Sequence, residues 1–473
     1  MSTDRRLLVL DDDPTGSQCV ADVDIVLDAD PATAAAALAE PGSTCFVLTN
    51  SRALDEADAV ALNRRILEGV VAAGVDPATL HVVSRSDSTL RGHVIAEPAA
   101  LAAVLAEHGR DVDAILLCPA MIEAGRFTRN GIHYATVDGE AIEVGATDFA
   151  RDATFGYDSS DLAAFLAERS GGNIREADVL RVTLEDIRTG GVDAVVGILG
   201  AARDAQWAVI DATEYIDMEV VAQAVARLEQ QGRTILTRCA PSFVRPLAGQ
   251  SGARVLADED IPVGGADRLP HGLVVVGSHV GLTTQQLAVV QERSGLVEVE
   301  LAVSGLLDEA RRESVIVETA RRIREALQAS DVVLYTSREL VRTDDPAASL
   351  AIARTVSDAV VDVVSRVRDA RPAWVVAKGG ITSHEVAEHG LGIVRARVAG
   401  QFYAGQISLF TPVEAPDEVL GMPYVVFPGN VGGREALADV VARLAAATAS
   451  RTADPAAAEP AVVDPAAEGA RHV

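Results

Sequence analysis

Short runs of aliphatic and β-branched residues alternate along the chain with longer Ala- and Leu-rich stretches whose apolar positions recur at helical spacing. A parallel strand buried on both faces reads as a continuous apolar run, so this alternation predicts parallel strands covered by helices. In the first half the runs predict strands over 6–10, 44–49, 114–118 and 207–210, with helices over 54–72 and 96–108. In the second half they predict strands over 273–276, 332–336, 374–377 and 424–427, with long helices near 309–329 and 347–369. Between Pro246 and Gly272 the periodicity fades and Gly, Pro and Asp dominate. The expected fold is therefore α/β: two α/β domains with largely parallel sheets flanked by helices. Their expected bounds are residues 1–245, a linker over 246–271, and residues 272–447. The remaining 448–473 are Ala, Pro and acid without an aromatic anchor, the composition of a disordered tail.

Length agrees with two domains, since 473 residues exceed one ordinary core. A formal net charge of -28 argues against general nucleic-acid or anionic-membrane binding, which need basic surfaces. A local basic pocket for a small anion is still allowed. Cys19, Cys45, Cys118 and Cys239 form no CxxC pair and suggest neither a zinc site nor a disulfide framework. The N-terminal apolar run is too short for a signal peptide, and no stretch approaches the roughly 18 apolar residues of a membrane span. The expectation is a soluble cytoplasmic protein.

Chemistry-bearing residues gather where predicted strands end. "LLVLDDDPTGSQ" (Leu7 to Gln18) drives four apolar residues into three carboxylates, a costly strand end unless a cation, metal or hydroxyl substrate meets them. In open α/β sheets ligands sit beyond the carboxyl ends of strands. An Asp-rich turn that caps a helix would read the same way, so this stretch alone decides nothing. "VVSRSDSTLRGHV" places Arg85, Ser86, Asp87, Ser88, Thr89, Arg91 and Gly92 after another strand. Its arginines could grip a carboxylate while Asp87 and Ser88 address hydroxyls, as a sugar acid requires; a surface loop with an internal Asp–Arg pair is the plain alternative. Asn50, Ser51 and Arg52 follow a third strand, and Glu123, Arg126, Arg129, Asn130 and His133 a fourth.

The second half differs. "VVVGSHVGLTTQQ", "VVAKGGITSHEVA" and "VVFPGNVGG" each run from a strand into a glycine turn, which can leave backbone N–H groups free for phosphate oxygens. One such turn is weak evidence; three in one half favour a nucleotide. Lys378 beside the glycines either neutralises phosphate or ends a strand. No GxxxxGK[ST] and no GxGxxG after a strand occur. "HEVAEH" spaces its histidines by five positions, not the four of a zinc helix, and reads as a helix start with solvated polar residues.

Taken in order, "DDPTG", "SDSTLRG", "EAGRFTRNGIHY", "VVGSHV", "KGGITS" and "FPGNVG" resemble the four-carbon acid sugar kinase family, formerly a domain of unknown function, over roughly residues 5–445. The resemblance implies a first domain that binds a tetronic acid, a second that binds ATP with Mg²⁺, and an active site in the cleft between them. It implies phosphotransfer to an alcohol, the terminal 4-hydroxyl of an acid such as threonate or erythronate. Carried onto this chain, Asp12 and Asp13 are the catalytic candidates, and Arg52, Arg85, Ser86, Asp87, Ser88 and Arg91 the substrate contacts. Ser278, Gly379, Gly380, Ile381, Thr382 and Gly429 are the nucleotide contacts. Pro14 replaces the family's usual aliphatic residue, and Arg85 stands where a lysine is common. "GGITS" and "DSTLRG" are similar to the threonate and erythronate branch. A kinase for 3-oxo-tetronate or a larger aldonate, and a non-catalytic sugar-acid and nucleotide sensor, stay open, as does the oligomeric state, a homo-oligomer included.

Overall fold

The first half contributes β1 (Arg6–Asp11), β2 (Asp24–Val26), β3 (Thr44–Leu48), β4 (Leu80–Arg85) and β5 (Ala114–Cys118). After them come β6 (Arg126–Arg129), β7 (Ile132–Val137), β8 (Glu140–Glu143), β9 (Leu180–Val182), β10 (Gln206–Ile210) and β11 (Ile235–Cys239). The second half adds β12 (Leu273–Val276), β13 (Val297–Leu301), β14 (Val332–Thr336) and β15 (Val375–Lys378). It closes with β16 (Arg395–Gln401), β17 (Ser408–Glu414) and β18 (Tyr424–Phe427). These assignments come from a computed structural model, which describes residues 4–13, 16–277, 280–293, 295–338 and 345–453.

Both halves share one 15-stranded sheet, in the order β13-β14-β12-β15-β18-β17-β16-β2-β3-β1-β4-β11-β5-β10-β9. The block from β2 to β9 is parallel throughout, and so is the block from β13 to β18. Between them β16 and β17 run antiparallel and fuse two expected sheets into one. Neither strand has the apolar run of a buried parallel strand, because one face of each carries residues such as Arg395, Arg397 and Glu414. Strands β6 to β8 form a separate antiparallel sheet.

Alternation places the core. Along β1, Leu7 and Val9 face one apolar layer while Leu8 and Leu10 face another, and all four are essentially inaccessible. Each such aliphatic side chain contributes roughly 2 kcal/mol on burial. The layer holding Leu7 also takes Leu273 and Val275, so it runs beneath both halves. On the opposite face each half has its own layer, with Val274 and Val276 in that of the second.

Helix Glu56–Ala72 begins where the Asp55 side chain accepts from the Asp58 amide at 2.9 Å, a standard N-cap. The helix Ala436–Ala453 continues past residue 448, where a tail was expected to begin; 454–473 lie outside the described residues. The stretch expected as a linker is packed: Arg268 is buried and donates to the carbonyls of Glu418 at 2.8 Å and Leu420 at 2.7 Å. All four cysteines are free and buried. Among the described residues no helix is long and apolar enough to cross a membrane.

Candidate active site

Adjacent parallel strands end together, so β3, β1 and β4 deliver the turns after Leu48, Asp11 and Arg85 to one edge of the sheet. Backbone bonds stitch these turns: Asp12 N–H donates to Arg85 O at 3.2 Å and Thr49 N–H to Asp11 O at 2.9 Å. Asn50 turns the chain in the left-handed region, and the next residues bring Arg52 over the aspartates. Its guanidinium donates to Asp12 Oδ1 at 2.6 Å and to Asp13 Oδ2 at 3.0 Å. Asp12 is 2% exposed and Asp13 28%.

Beneath this surface lies a second layer of charge. Asp11 is wholly buried, and a carboxylate there needs a counter-charge, which Arg85 supplies at 2.5 Å. Arg85, expected as a substrate contact, therefore sits under the turn, 6% exposed, with its guanidinium committed to Asp11. Burial, with Asp13 and Asp12 nearby, pushes the Asp11 carboxyl up to about 7 against the pull of Arg85. Arg238 at the end of β11, outside the predicted site, is 1% exposed and donates to Glu97 Oε2 at 2.5 Å and Ser84 Oγ at 2.6 Å. Its Nη2 lies 3.8 Å from Asp12 Oδ2, the oxygen that Arg52 Nε also reaches at 3.4 Å, and has no hydrogen-bond partner among the described residues. Gly92, at φ +112°, closes over the same carboxylate: a Cβ there would lie 2.9 Å from Asp12 Oδ2.

Asp87 accepts from Arg91 Nε at 2.7 Å and from the Thr89 hydroxyl. Against the cost of burial, Arg52, Arg91 and these hydrogen bonds hold it down at about 2. Ser86 and Ser88 are buried in the same loop, where Ser86 N–H donates to Cys239 O at 2.8 Å. Leu90 is buried at φ +68°, a strain of roughly 1–3 kcal/mol that surrounding structure must hold in place. Part of that support comes from the "EAGRFTRNGIHY" stretch. His133 bonds the Ser88 carbonyl at 2.8 Å and Thr128 at 2.9 Å; burial lowers it to about 4, so it is neutral scaffold. Glu123 accepts from Tyr215, from Ser242 at 2.6 Å and from Arg245 at 2.6 Å. Gly405, between β16 and β17, leans on Glu123 so closely that a Cβ there would collide with it.

In the second half, β12 and β15 are neighbours and so are β15 and β18, which sets their glycine turns side by side. Gly277 approaches Thr382 so that a Cβ would lie 2.6 Å from its hydroxyl. Gly379, at φ +127°, donates to Phe427 O at 2.9 Å and opens the helix Gly380–Glu385; Ile381 is 67% exposed. The Gly429 carbonyl accepts from Thr283 at 3.1 Å. Ser278 lies outside the described residues. In "HEVAEH" a π-turn over Val386–Gly390 pairs His384 with Glu388 at 3.0 Å; His384 is only 10% exposed, not solvated as expected.

The fold and these turns have counterparts. Residues 7–247 match the family model of a sugar-binding N-terminal domain, and residues 273–437 that of a nucleotide-binding C-terminal domain. A D-threonate kinase of Cupriavidus necator is 32% identical over 231 residues, which span 46% of this chain and 47% of that protein. The chain thus matches about half the length of that relative. A D-erythronate kinase of Heliobacterium modesticaldum is 27% identical over 401 residues, 82% of this chain and 80% of that protein. Two crystal structures share the fold at 15% identity. One, a Salmonella typhimurium LT2 protein provisionally named a tRNA synthase, superposes with TM-score 0.68 over 92% of this chain and 98% of its own. The other, a Haemophilus influenzae protein of family DUF1537, superposes with TM-score 0.64 over 94% and 99%.

Proposed function

We propose, for a chain that belongs to the four-carbon acid sugar kinase family, that it transfers a phosphoryl group from ATP to the 4-hydroxyl of a four-carbon sugar acid such as threonate or erythronate. The observation that carries this reading is Arg52 bridging Asp12 and Asp13, a carboxylate-binding group resting on the acids that can accept a hydroxyl proton. A substrate carboxylate competes with Asp13 for Arg52 and releases Asp13, the more exposed of the pair, as base. Asp12, held between Arg52 and Arg238, orients the hydroxyl; Arg91 offers a second cation at the rim. Arg85 keeps Asp11 neutralised below.

The glycine turns after β12, β15 and β18 suit a nucleotide, since they lie side by side and no acceptor among the described residues takes the N–H of Gly429. Among the described residues no three Asp, Glu, His or Cys side chains converge on a metal position. Mg²⁺ commonly takes its ligands from phosphates, water and one or two carboxylates, and when bound it would neutralise the charge that develops on the phosphoryl group. We place the reaction across the junction where the β16–β17 turn reaches Glu123. Alignment and charge neutralisation supply most of such a reaction's acceleration, so two site halves that close on each other suffice.

The test is ADP release from ATP and Mg²⁺ with D- and L-threonate, D- and L-erythronate, 3-oxo-tetronate, and five- and six-carbon aldonates. Turnover with one four-carbon acid is expected, and Asp13→Asn should lower it roughly 10²- to 10⁴-fold. Turnover confined to a longer aldonate would move the substrate class, and an Asp13→Asn variant at wild-type rate would remove Asp13 as the base.

A further inference from the structure

The turn after β18, "PGNVGG" over 428–433, has its carbonyls drawn inward by three side chains that solvent does not reach, Lys378, Thr283 and Gln286, each 0% exposed. Lys378 Nζ donates to Pro428 O at 2.6 Å and to Gly429 O at 3.3 Å. Thr283 Oγ1 shares that second carbonyl at 3.1 Å. Gln286 Nε2 donates to Val431 O at 3.1 Å and to Gly433 O at 2.8 Å. Gly432, at φ +78°, supplies the left-handed step that lets the turn close. No acceptor among the described residues takes the N–H of Gly429, Asn430, Val431 or Gly432, and all four residues are half-buried or exposed. Carbonyls held inward beside free N–H groups make an anion-receiving backbone.

Lys378 is the charge beneath this turn. It stands in register with Val276 on β12 and Phe427 on β18, and Nζ lies 4.0 Å from the centre of the Phe427 ring. Helix Gly281–Arg293 faces it with Thr283 and Gln286. Among the described residues none of these elements brings a carboxylate or a second cation into ion-pair reach of Nζ. A buried ammonium without a counter-charge is costly, and burial pushes Lys378 down to about 7.

We propose that Lys378, Thr283 and Gln286 are positioning residues that hold turn 428–433 as a phosphate-receiving cradle, with Lys378 as the resident cation that answers the bound anion. Because the ammonium is bonded to the carbonyls of residues 428 and 429, it polarises the peptide groups whose N–H belong to Gly429 and Asn430, and strengthens them as donors. An anion on those donors favours the charged lysine. Binding above pH 7 therefore draws a proton onto Nζ.

This inference rests on the nucleotide reading of the second half, and its test separates the two. Mg-ATP is titrated calorimetrically into the full chain at pH 8, in buffers of differing ionisation enthalpy, with sugar-acid binding measured alongside. The wild type is expected to take up about one proton. Lys378→Met should take up none and bind roughly tenfold more weakly, while Thr283→Val should bind a few-fold more weakly and keep the uptake. Sugar-acid affinity should not change in either. If Lys378→Met fails to fold, the wild-type proton count and Thr283→Val still decide. Variants that bind Mg-ATP as tightly as the wild type would overturn the cradle, and binding without proton uptake would overturn the charging of Lys378 by the bound anion. A wild type that binds the sugar acid and no nucleotide would overturn the nucleotide reading, and the cradle with it.

Discussion

On the proposed function, the turns after β1, β3 and β4 and the turns after β15 and β18 receive their anions by opposite means. In the first set, guanidiniums and carboxylates interlock: Arg52 with Asp12 and Asp13, Arg85 with Asp11, Arg91 with Asp87, Arg238 with Glu97. In the second, one lysine and two neutral side chains arrange a backbone. A ligand entering the first set must exchange partners with charges already matched, which selects for its geometry. A ligand entering the second meets donors common to every peptide, which suits phosphate of any origin. On the proposed function, selectivity for the acid and generality for the phosphate are thus divided between the halves.

The strongest way to break this contrast is to remove one buried partner. Arg85→Met takes the partner from Asp11, whose buried carboxyl then takes up a proton, and is expected to lower the free energy of unfolding by about 1–3 kcal/mol in urea titrations. Asp11→Leu/Arg85→Met should recover most of that loss. A single substitution that costs nothing would mean the first set is not interlocked.

Acid and alkaline titrations sharpen the contrast further. Asp87 lies lower in the folded chain than its unfolded value of 3.8, so its contribution of about 2 kcal/mol is present above pH 4 and lost as pH falls through 2. Lys378 also lies lower when folded, so the unfolded chain binds more protons between about pH 7 and 10.5 and stability rises across that window. Urea midpoints against pH should show both rises, with Asp87→Asn abolishing the acid one and Lys378→Met the alkaline one. The mildest expected effect is that of Gly277→Ala, which crowds the Thr382 hydroxyl at a cost of about 1 kcal/mol. It should weaken Mg-ATP binding a few-fold and leave sugar-acid binding unchanged.

Strands buried on both faces were legible because their sequences have no polar side to hide. The runs at 273–276, 332–336 and 424–427 coincide with β12, β14 and β18. Strands of three residues, β2 and β9, and the half-polar β16 and β17 carry no such signal, so the fusion of the halves into one sheet was not readable. The acid and arginine turns were visible as clusters after strands. Arg238 and Glu97 were not, since they meet across 141 positions and each stands alone in its own segment. Gln286 looks like any helical glutamine until the carbonyls it holds are seen.

The joint between the halves also imposes an order on synthesis. Strand β2 pairs with β16, whose residues leave the ribosome about 370 positions later, a delay of roughly 20–70 s. Throughout that interval the nascent first half presents β2 as an open edge, the kind of surface that recruits stray strands. Two features blunt it: the strand is only three residues long, and it begins with Asp24. When β16 arrives it brings Arg395 and Arg397 to within 3.7 and 3.8 Å of that carboxylate. The charge that repels the wrong neighbour becomes the one that fits the right one.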